Sequence, residues 1–327
     1  MAVYGEGRAF ELVRCDGSEA WLEQRGKGVG GSDVAAIMGL SRWRSSYETW
    51  CEKRGLVKPD DISDKPAVYW GNVLEPIVGE EYARRHPDRK VKRLNAVARS
   101  IERPWAQASL DYEVKDPELG WGVLEIKTAG LRSANEWEDG VPLFYLTQIM
   151  HYMDVTDRKF ADVAVLIGGS DYREYRVMRD EGDVAAVREA VDAFWGSVTD
   201  PDGEPPELMG VGNESSALFK CHSETNGEIK GVSGVPCAVA DYVDAKERAD
   251  RWKRELDAAS NRLKAEIGDA DGIESDEFRV KWVRGESSRL DTKRLKAEHP
   301  EIIERYTVSA PRDMGLRYTD KTKKKGK

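Results

Sequence analysis

The sequence lacks any long uninterrupted hydrophobic run. A membrane-spanning helix needs roughly 18 or more mostly apolar residues in succession, and no stretch of this chain approaches that length. The opening residues, MAVYGEGRAFELVR, also lack the charged head and apolar centre of a secretion signal. We therefore expect a soluble, intracellular protein with no membrane partner.

Cysteine is scarce, and its four positions are far apart: Cys15, Cys51, Cys221 and Cys237. No CxxC pair is present, whereas zinc and iron–sulfur sites usually take adjacent ligands from such pairs. Cys221, His222 and Cys237 could join a metal site, but free reduced thiols are the better interpretation. We expect neither an iron–sulfur cluster nor a disulfide framework.

An excess of positive charge is also missing, since the formal net charge of the 327 residues is −9. Proteins that coat nucleic acid through bulk electrostatics concentrate Lys and Arg. Any contact with DNA must therefore be local. A site that gathers carboxylates around a metal ion would itself contribute to the acidic total.

Strand-like and helix-like segments alternate over residues 17–194, which predicts an α/β or α+β domain. Residues 123–129 and 160–169 are rich in β-branched side chains and are typical of buried strands, and residues 172–178 alternate like a strand with one wet face. Between them, Pro142 is a plausible start for a helix. The predicted order is strand, helix, strand, strand.

A boundary is predicted where Pro, Gly, Asp and Ser are concentrated, at residues 200–216. We predict a catalytic domain over residues 1–200, a linker over 201–235 and a C-terminal arm over 236–327. The basic end of the arm, KKKGK, is best interpreted as a solvated tail.

The arm contains a heptad pattern, in which apolar residues recur at alternating spacings of three and four. This pattern is typical of a helix that packs along another helix, and it comprises Ala245, Ala249, Trp252, Leu256, Ala259 and Leu263. A short strand pair around residues 278–285 and a helix containing Leu295 are predicted to follow.

Two acids and a lysine form the candidate catalytic group. Asp111 is separated by a turn-like sequence, KDPELGWG, from the strand that carries Glu125 and Lys127, so the two segments should form a hairpin. Because side chains alternate along a strand, Glu125 and Lys127 should share one face, while Ile126 points to the other.

This arrangement suits phosphodiester hydrolysis. Two carboxylates on adjacent strands supply the hard oxygen ligands that Mg²⁺ prefers, and a lysine can stabilise negative charge that develops on a phosphate. The ordinary interpretation of an acid-x-Lys strand is an exposed ion pair. Here the flanking residues are apolar, so the charges should be buried, and buried charges are paired, metal-bound or functional.

Several segments then resemble the YqaJ-like viral recombinase nucleases, relatives of phage lambda exonuclease in the PD-(D/E)xK superfamily. The N-terminal segment at residues 25–55 resembles the corresponding family segment, and residues 70–83 resemble a glutamate-bearing helix. SLDYEV with VLEIKTA resembles the catalytic hairpin, and residues 145–153 resemble the helix that follows. The resemblance covers most of residues 20–195.

The resemblance implies a restriction-endonuclease-like α/β core with a mixed central sheet flanked by helices, plus a helical C-terminal extension. It implies that Asp111, Glu125 and the backbone carbonyl of Ile126 bind Mg²⁺, with Mn²⁺ as a substitute, and that Lys127 is the catalytic lysine. Glu75 would approach the metal, and Gln148 and Tyr145 would lie over the site. Without the resemblance, Glu75 would be interpreted as a carboxylate near a helix start with Pro76 in the first turn.

The resemblance also implies a pocket for a DNA 5′-phosphate formed by Arg25, Ser32 and Ser109, with Arg132 near a further phosphate-binding position but one residue out of step. The alternative for RGKGVGGSD is a glycine-rich turn in which Ser32 or Asp33 caps a helix.

The implied activity is a 5′ to 3′ exonuclease on double-stranded DNA ends in phage-type recombination, which leaves a 3′ strand for an annealing protein of the RecT or Redβ type. A homo-oligomer is implied, with a ring as one form, in the cytoplasm of a bacterial host and encoded by a phage or prophage. The alternatives are a RecB-like or Cas4-like nuclease of other polarity, against which the cysteine spacing speaks, and a catalytically silent module that binds DNA ends.

Overall fold

The computed structural model describes residues 9–15, 17–210, 214–225, 227–309 and 312–319. The chain forms two compact units, an N-terminal unit (Met1–Ser223) and a C-terminal unit (Glu224–Lys327). The division falls within residues 201–235, the range predicted as a linker, but after the Pro-, Gly-, Asp- and Ser-rich stretch at residues 200–216. The KKKGK tail lies outside the described residues.

Two sheets form the scaffold of the N-terminal unit. Its strands are, in chain order, β1 Phe10–Val13, β2 Val29–Gly30, β3 Lys90–Arg93, β4 Val97–Ser100, β5 Ala106–Ala108, β6 Tyr112–Asp116, β7 Gly120–Ala129, β8 Phe160–Ile167 and β9 Asp171–Met178. Its helices are α1 Ser18–Gly26, α2 Gly31–Ile37, α3 Ser46–Lys53, α4 Pro66–Arg85, α5 Leu143–Thr156, α6 Glu181–Thr199 and α7 Glu214–Cys221, with a 3₁₀ helix at Leu131–Trp137.

The larger sheet has the strand order β3-β6-β7-β8-β9. β7 pairs antiparallel with β6 and parallel with β8, and the parallel step is made by the crossover through α5. β8 then pairs antiparallel with β9. This mixed sheet, flanked by helices, confirms the predicted α/β core with a mixed central sheet.

The central strands β7 and β8 are buried on both faces. Val123 and Val163 pack in the cluster that contains Ile149 and Met153 of α5, while Leu124 packs in the cluster beneath α4. Each such side chain contributes on the order of 1.5–3 kcal/mol when it leaves water. Because both faces of β7 and β8 are buried, the sequences of these two strands are nearly continuously apolar.

The smaller sheet has the order β1-β4-β5-β2, and it was not anticipated from the sequence. Its strands have two to four residues, too few for a clear alternating pattern. The helices α2 and α5 pack together beside it.

Helix α4 begins at Pro66 and ends at Arg85, with Pro76 in its interior. The interpretation of Glu75 as a residue at a helix start, with Pro76 in the first turn, is therefore wrong. Pro66 occupies the first turn instead, where proline fits because it lacks the N–H that would be unpaired there.

The C-terminal unit contains the long helix α8 Cys237–Ile267, the strand pair β10 Gly272–Glu274 and β11 Arg279–Lys281, and the short helices α9 Thr292–Glu298 and α10 Pro300–Tyr306. The predicted helical extension is thus present. Among the described residues, no helix combines the length and apolar character needed to cross a membrane.

Candidate active site

The hairpin β6–β7 brings Asp111 next to the centre of β7. Asp111 directly precedes β6, and its carboxylate oxygen Oδ2 accepts a hydrogen bond of 2.8 Å from the backbone N–H of Ile126. Because Tyr112 is paired with Leu124 in the register of the hairpin, the preceding residue falls opposite the segment that carries Glu125. The local pairing therefore places the two acids side by side.

Glu125 and Lys127 form a close ion pair on the α5 side of the sheet. The Nζ of Lys127 lies 2.5 Å from Oε1 of Glu125. The side chain of Glu125 is 2% exposed and that of Lys127 is 17% exposed. The charges are thus removed from water, as the apolar flanks of the strand predicted.

Helix α5 covers this pair with polar side chains. Nε2 of Gln148 donates to Oε1 of Glu125 at 2.7 Å and to the hydroxyl of Tyr152 at 2.9 Å, and Oε1 of Gln148 accepts from Lys127 at 3.4 Å. The ring centroid of Tyr145 lies 4.8 Å from the Nζ of Lys127. The structure therefore brings Asp111, Glu125, Lys127, Gln148 and Tyr145 into one constellation.

The two acids are poorly neutralised. Burial, followed by the charge of Glu125, raises the pKa of Asp111 well above its ordinary value, and burial likewise raises the pKa of Glu125. Burial alone would lower the pKa of Lys127, but the attraction of Glu125 and Asp111 outweighs it and raises that pKa. Lys127 therefore stays protonated, while two carboxylates compete for its single charge.

A divalent cation fits this deficit. Oε2 of Glu125 is buried and has no hydrogen-bond partner, which is costly for a carboxylate oxygen unless a cation or donor satisfies it. Among the residues described, no three His, Cys, Asp or Glu side chains form a metal cluster by themselves. Mg²⁺ does not require one, because it commonly takes one or two carboxylates and completes its shell with water and phosphate oxygens.

Glu75 and Ile126 both line a cleft between α4 and the β6–β7 hairpin. The cleft measures about 220 Å³ and is lined by one side of α4 and by the hairpin, including Asp111, Lys127 and Thr128. The carboxylate of Glu75 pairs with Arg93 at 2.8 Å, so it is already partnered. Its approach to a metal ion, and the ligand role of the Ile126 carbonyl, stay predictions.

Arg25 and Ser32 are in contact, as the predicted phosphate pocket requires. Nη2 of Arg25 donates to Oγ of Ser32 at 3.0 Å. Ser109 is half-buried between β5 and β6, and Arg132 is exposed on the 3₁₀ helix. Within the described residues, neither forms a hydrogen bond or ion pair with Arg25 or Ser32.

Asp33 is the residue whose importance the sequence did not reveal. Its carboxylate is fully buried and contacts three cations: Lys53 at 2.8 Å, Arg44 at 3.1 Å and Arg25 at 3.2 Å. It also accepts from the N–H of Gly30 at 3.1 Å, so the expectation of a helix-capping role holds for Asp33. Burial alone would raise the pKa of Asp33, but the three positive charges outweigh it and hold that pKa far below its usual range.

Gly31 brings α2, the helix next to Arg25, against α5. A Cβ atom at this position would lie 2.4 Å from the ring of Tyr152 and 2.8 Å from Cγ of Gln148. These separations are far inside van der Waals contact, so only glycine allows α2 to approach α5 this closely. Ser32 is the next residue of α2.

Comparisons with known proteins identify relatives of this chain. A family model described as the YqaJ-like viral recombinase domain matches residues 20–159. The uncharacterized protein YqaJ of Bacillus subtilis (strain 168) is 31% identical over 292 residues, which cover 88% of this chain and 90% of the relative.

Two solved structures are also similar. An alkaline exonuclease (LHK-Exo) from Laribacter hongkongensis is 22% identical, with a TM-score of 0.46, over 55% of this chain and 92% of that chain. A phage related exonuclease from Haemophilus somnus 129PT is 13% identical, with a TM-score of 0.37, over 51% of this chain and 91% of that chain.

Proposed function

The chain belongs to the YqaJ-like viral recombinase family, and on that premise we propose that it is a magnesium-dependent nuclease that hydrolyses DNA phosphodiesters. The observation that carries the proposal is the buried Oε2 of Glu125, which has no partner although Asp111 and Lys127 lie beside it. A buried acid beside a half-buried one, with too little positive charge, favours a site completed by a cation and an anionic substrate.

Asp111 and Glu125 would hold Mg²⁺, for which Mn²⁺ would substitute. When bound, the ion supplies a charge that polarises a phosphate and lowers the pKa of water. These ligands suit it because carboxylate oxygens are hard donors.

Lys127 provides the positive charge that belongs to the chain itself. It stays protonated because the negative charges of both acids stabilise its ammonium group and raise its pKa. Its Nζ donates to Glu125 and Gln148. A fixed ammonium group in a partly dry site stabilises negative charge as it develops on a phosphate. Gln148 and Tyr145 restrict where that ammonium group can move, because one hydrogen-bonds it and the other presents its ring face.

Arg25 and Ser32 would bind the 5′-phosphate of a duplex end. Three features support this assignment: the Arg25 side chain is 32% exposed, it is fixed by Asp33, and Gly31 keeps the neighbouring helix close to Gln148. Together with the family, they favour a 5′ to 3′ exonuclease that acts in phage-type recombination. The 3′ strand that it leaves would pass to an annealing protein, and Ser109 and Arg132 would add phosphate contacts.

The test is incubation with end-labelled linear duplex and closed circular DNA, with and without Mg²⁺, with Asp111→Ala as the matched control. We expect stepwise loss of the 5′-labelled strand of the linear duplex, only with Mg²⁺ or Mn²⁺ and only in the wild type. Equal attack on the circle would indicate an endonuclease, and loss from 3′ ends would indicate the opposite polarity. Tight binding of ends without cleavage would indicate a silent module.

The phosphate assignment has its own test. Arg25→Ala should reduce the preference for 5′-phosphorylated over 5′-hydroxyl ends by roughly tenfold or more, since a charge-assisted contact to phosphate contributes about 1.5–3 kcal/mol. Arg84→Ala is the matched control, because Arg84 is an exposed arginine near the end of α4 and is not part of the proposed pocket. Unchanged discrimination in Arg25→Ala would remove Arg25 from the pocket.

A further inference from the structure

Helix α8 presents an exposed apolar seam. The helix has 31 residues, and near its middle the side chains of Trp252 and Leu256 are 66% and 69% exposed. The seam follows the heptad spacing along the helix and comprises Ala238, Tyr242, Ala245, Ala249, Trp252, Leu256, Ala259 and Leu263. Large apolar side chains in such a continuous stripe are typical of a surface that another helix covers.

Small and large residues are arranged symmetrically along the seam. Consider the midpoint between Asp250 and Arg251. Each alanine of the seam has a large seam residue at the same distance on the opposite side of this midpoint. The matching pairs are Ala249 with Trp252, Ala245 with Leu256, Ala259 with Tyr242, and Ala238 with Leu263. Two copies of α8 that run antiparallel about this midpoint would therefore place a large side chain against an alanine in every layer.

A parallel pair would not achieve this. In a parallel homodimer each seam residue faces its own copy, so Trp252 would meet Trp252 and Ala249 would meet Ala249. Crowded layers would alternate with layers that leave empty space, and both faults cost stability.

The charges beside the seam also favour the antiparallel orientation. In that register Arg248 faces Glu255 of the second copy, and Asp241 faces Arg262. The twofold symmetry makes each of these contacts occur twice. One side of the seam is therefore lined by opposite charges along its length, which favours this orientation over others.

The other side of the seam is less favourable, because Lys246 faces Lys253 of the second copy. Both lysines are solvent-exposed, where a contact between charges has a small effect and long side chains can turn apart. A parallel pair would instead oppose Arg248 to Lys253 and Asp241 to Lys246, so its repulsive contacts would equal its attractive ones. The antiparallel pair therefore has more attractive than repulsive charge contacts, whereas the parallel pair does not.

We propose that α8 is a homodimerisation helix, which pairs antiparallel with α8 of a second copy of this chain about a twofold axis between Asp250 and Arg251. Such an interface is isologous, so each residue contact appears twice. Paired from Ala238 to Leu263, the two helices would run together over about 39 Å. The inference rests on α8 alone and is independent of the proposed nuclease activity.

Charge reversal tests the orientation, with the mass of the full chain measured by sedimentation equilibrium. Arg248→Glu should raise the dimer dissociation constant by about tenfold or more, because the introduced carboxylate would face Glu255 in two symmetric contacts. Adding Glu255→Arg should restore the wild-type constant. Arg248 also pairs with Asp244 within the helix at 2.9 Å, but that loss is common to both variants, so the recovery isolates the contact between chains.

The matched control is Arg254→Glu, which makes the same change on the outer face of the helix and should leave the constant unchanged. Circular dichroism checks that each variant keeps its helix. Tighter association of Arg248→Glu would show a parallel pair and overturn the proposal.

A size exchange tests the layers independently of charge. Ala249→Trp should weaken the dimer by placing Trp against Trp252, and Ala249→Trp combined with Trp252→Ala should restore it by exchanging the large and small sides. A wild type that is monomeric at tens of micromolar would overturn the proposal. So would an oligomer whose mass none of these substitutions changes, because its interface would lie elsewhere or α8 would bind a different protein.

Discussion

Two of the sites at which carboxylates meet cations inside the N-terminal unit are balanced in opposite ways. Asp33 is one acid among three cations, Arg25, Arg44 and Lys53. Asp111 and Glu125 are two acids that share one cation, Lys127. The pKa of Asp33 is held low, whereas burial raises the pKa values of Asp111 and Glu125.

The difference separates a site that stabilises the fold from one that awaits a ligand. The Asp33 cluster is complete, because three cations contact its carboxylate and Arg44 also pairs with Glu52. The Asp111 and Glu125 site is short of positive charge, and one buried oxygen has no donor. Enzymes commonly store such unfavourable electrostatics where substrate or metal will bind. Five predictions test this contrast.

The largest effect should come from removing Lys127. Lys127→Ala is expected to lower the rate of DNA cleavage by about 10³-fold or more, roughly 4 kcal/mol of transition-state stabilisation, because the lost charge acts mainly during the reaction. Single-turnover cleavage of linear duplex measures it. The matched control is Lys53→Ala, which removes the buried lysine of the other site and should reduce stability while folded molecules still cleave. Equal turnover by Lys127→Ala and wild type would show that cleavage does not need the charge of Lys127, and would contradict the contrast between the two sites.

Removal of Asp33 should be the largest effect on stability. Asp33→Ala leaves the buried Lys53 and two half-buried arginines facing one another, and is expected to cost about 3 kcal/mol of unfolding free energy. Urea unfolding measures it, with Glu23→Ala, an exposed partner of Lys27, as a control that should change little.

The same variant predicts a pH dependence. The folded pKa of Asp33 is depressed, so its stabilisation is complete above its ordinary value of 3.8 and is lost as pH falls toward the lower folded value. The difference between wild type and Asp33→Ala should thus stay constant from pH 8 to about pH 5. A difference that fades within that range would show that Asp33 is not held by the three cations.

Added Mg²⁺ should stabilise only the site that lacks positive charge. At a concentration near 100 times the dissociation constant, Mg²⁺ is expected to add about 2.7 kcal/mol to the unfolding free energy of the wild type. Thermal unfolding with and without the ion measures this. Asp111→Ala should abolish the gain, whereas Asp33→Ala should retain it. Equal gains in wild type and Asp111→Ala would place the ion elsewhere.

The smallest effect is a gain in stability. Without Mg²⁺, Asp111→Asn should raise the unfolding free energy by about 1 kcal/mol at neutral pH, because it removes a buried charge and its repulsion with Glu125. The amide oxygen can still accept from the Ile126 N–H. A loss of stability would mean that the two acids are not in conflict.

Local patterns predicted the β6–β7 hairpin and the placement of its charged residues well. The two-residue period of β7 placed Glu125 and Lys127 on one face, and the turn sequence placed Asp111 beside them, because these relations depend on neighbours in sequence. The extent of α4 was misjudged, since Pro76 suggested a helix start but is tolerated in the interior of a 20-residue helix.

Long-range contacts were the part that no local pattern could reveal. Arg44 and Lys53 reach Asp33 from a loop and from α3, at separations of 11 and 20 residues in sequence. A single sequence shows Asp33 only as a helix cap, because its other partners are set by how the helices pack. The functional assignments of the site residues stay predictions until the experiments above are done.

The missing side chain at Gly31 has a further consequence for product size. The close contact of Gly31 with Tyr152 and Gln148 fixes the spacing between α2, which carries Ser32, and Glu125 on β7, to which Gln148 donates. In an enzyme that anchors a terminal phosphate at one end of this spacing and cuts at the other, the distance acts as a molecular ruler. Each cut would then release a fragment of constant length, and a bulkier residue at position 31 would lengthen or blur it.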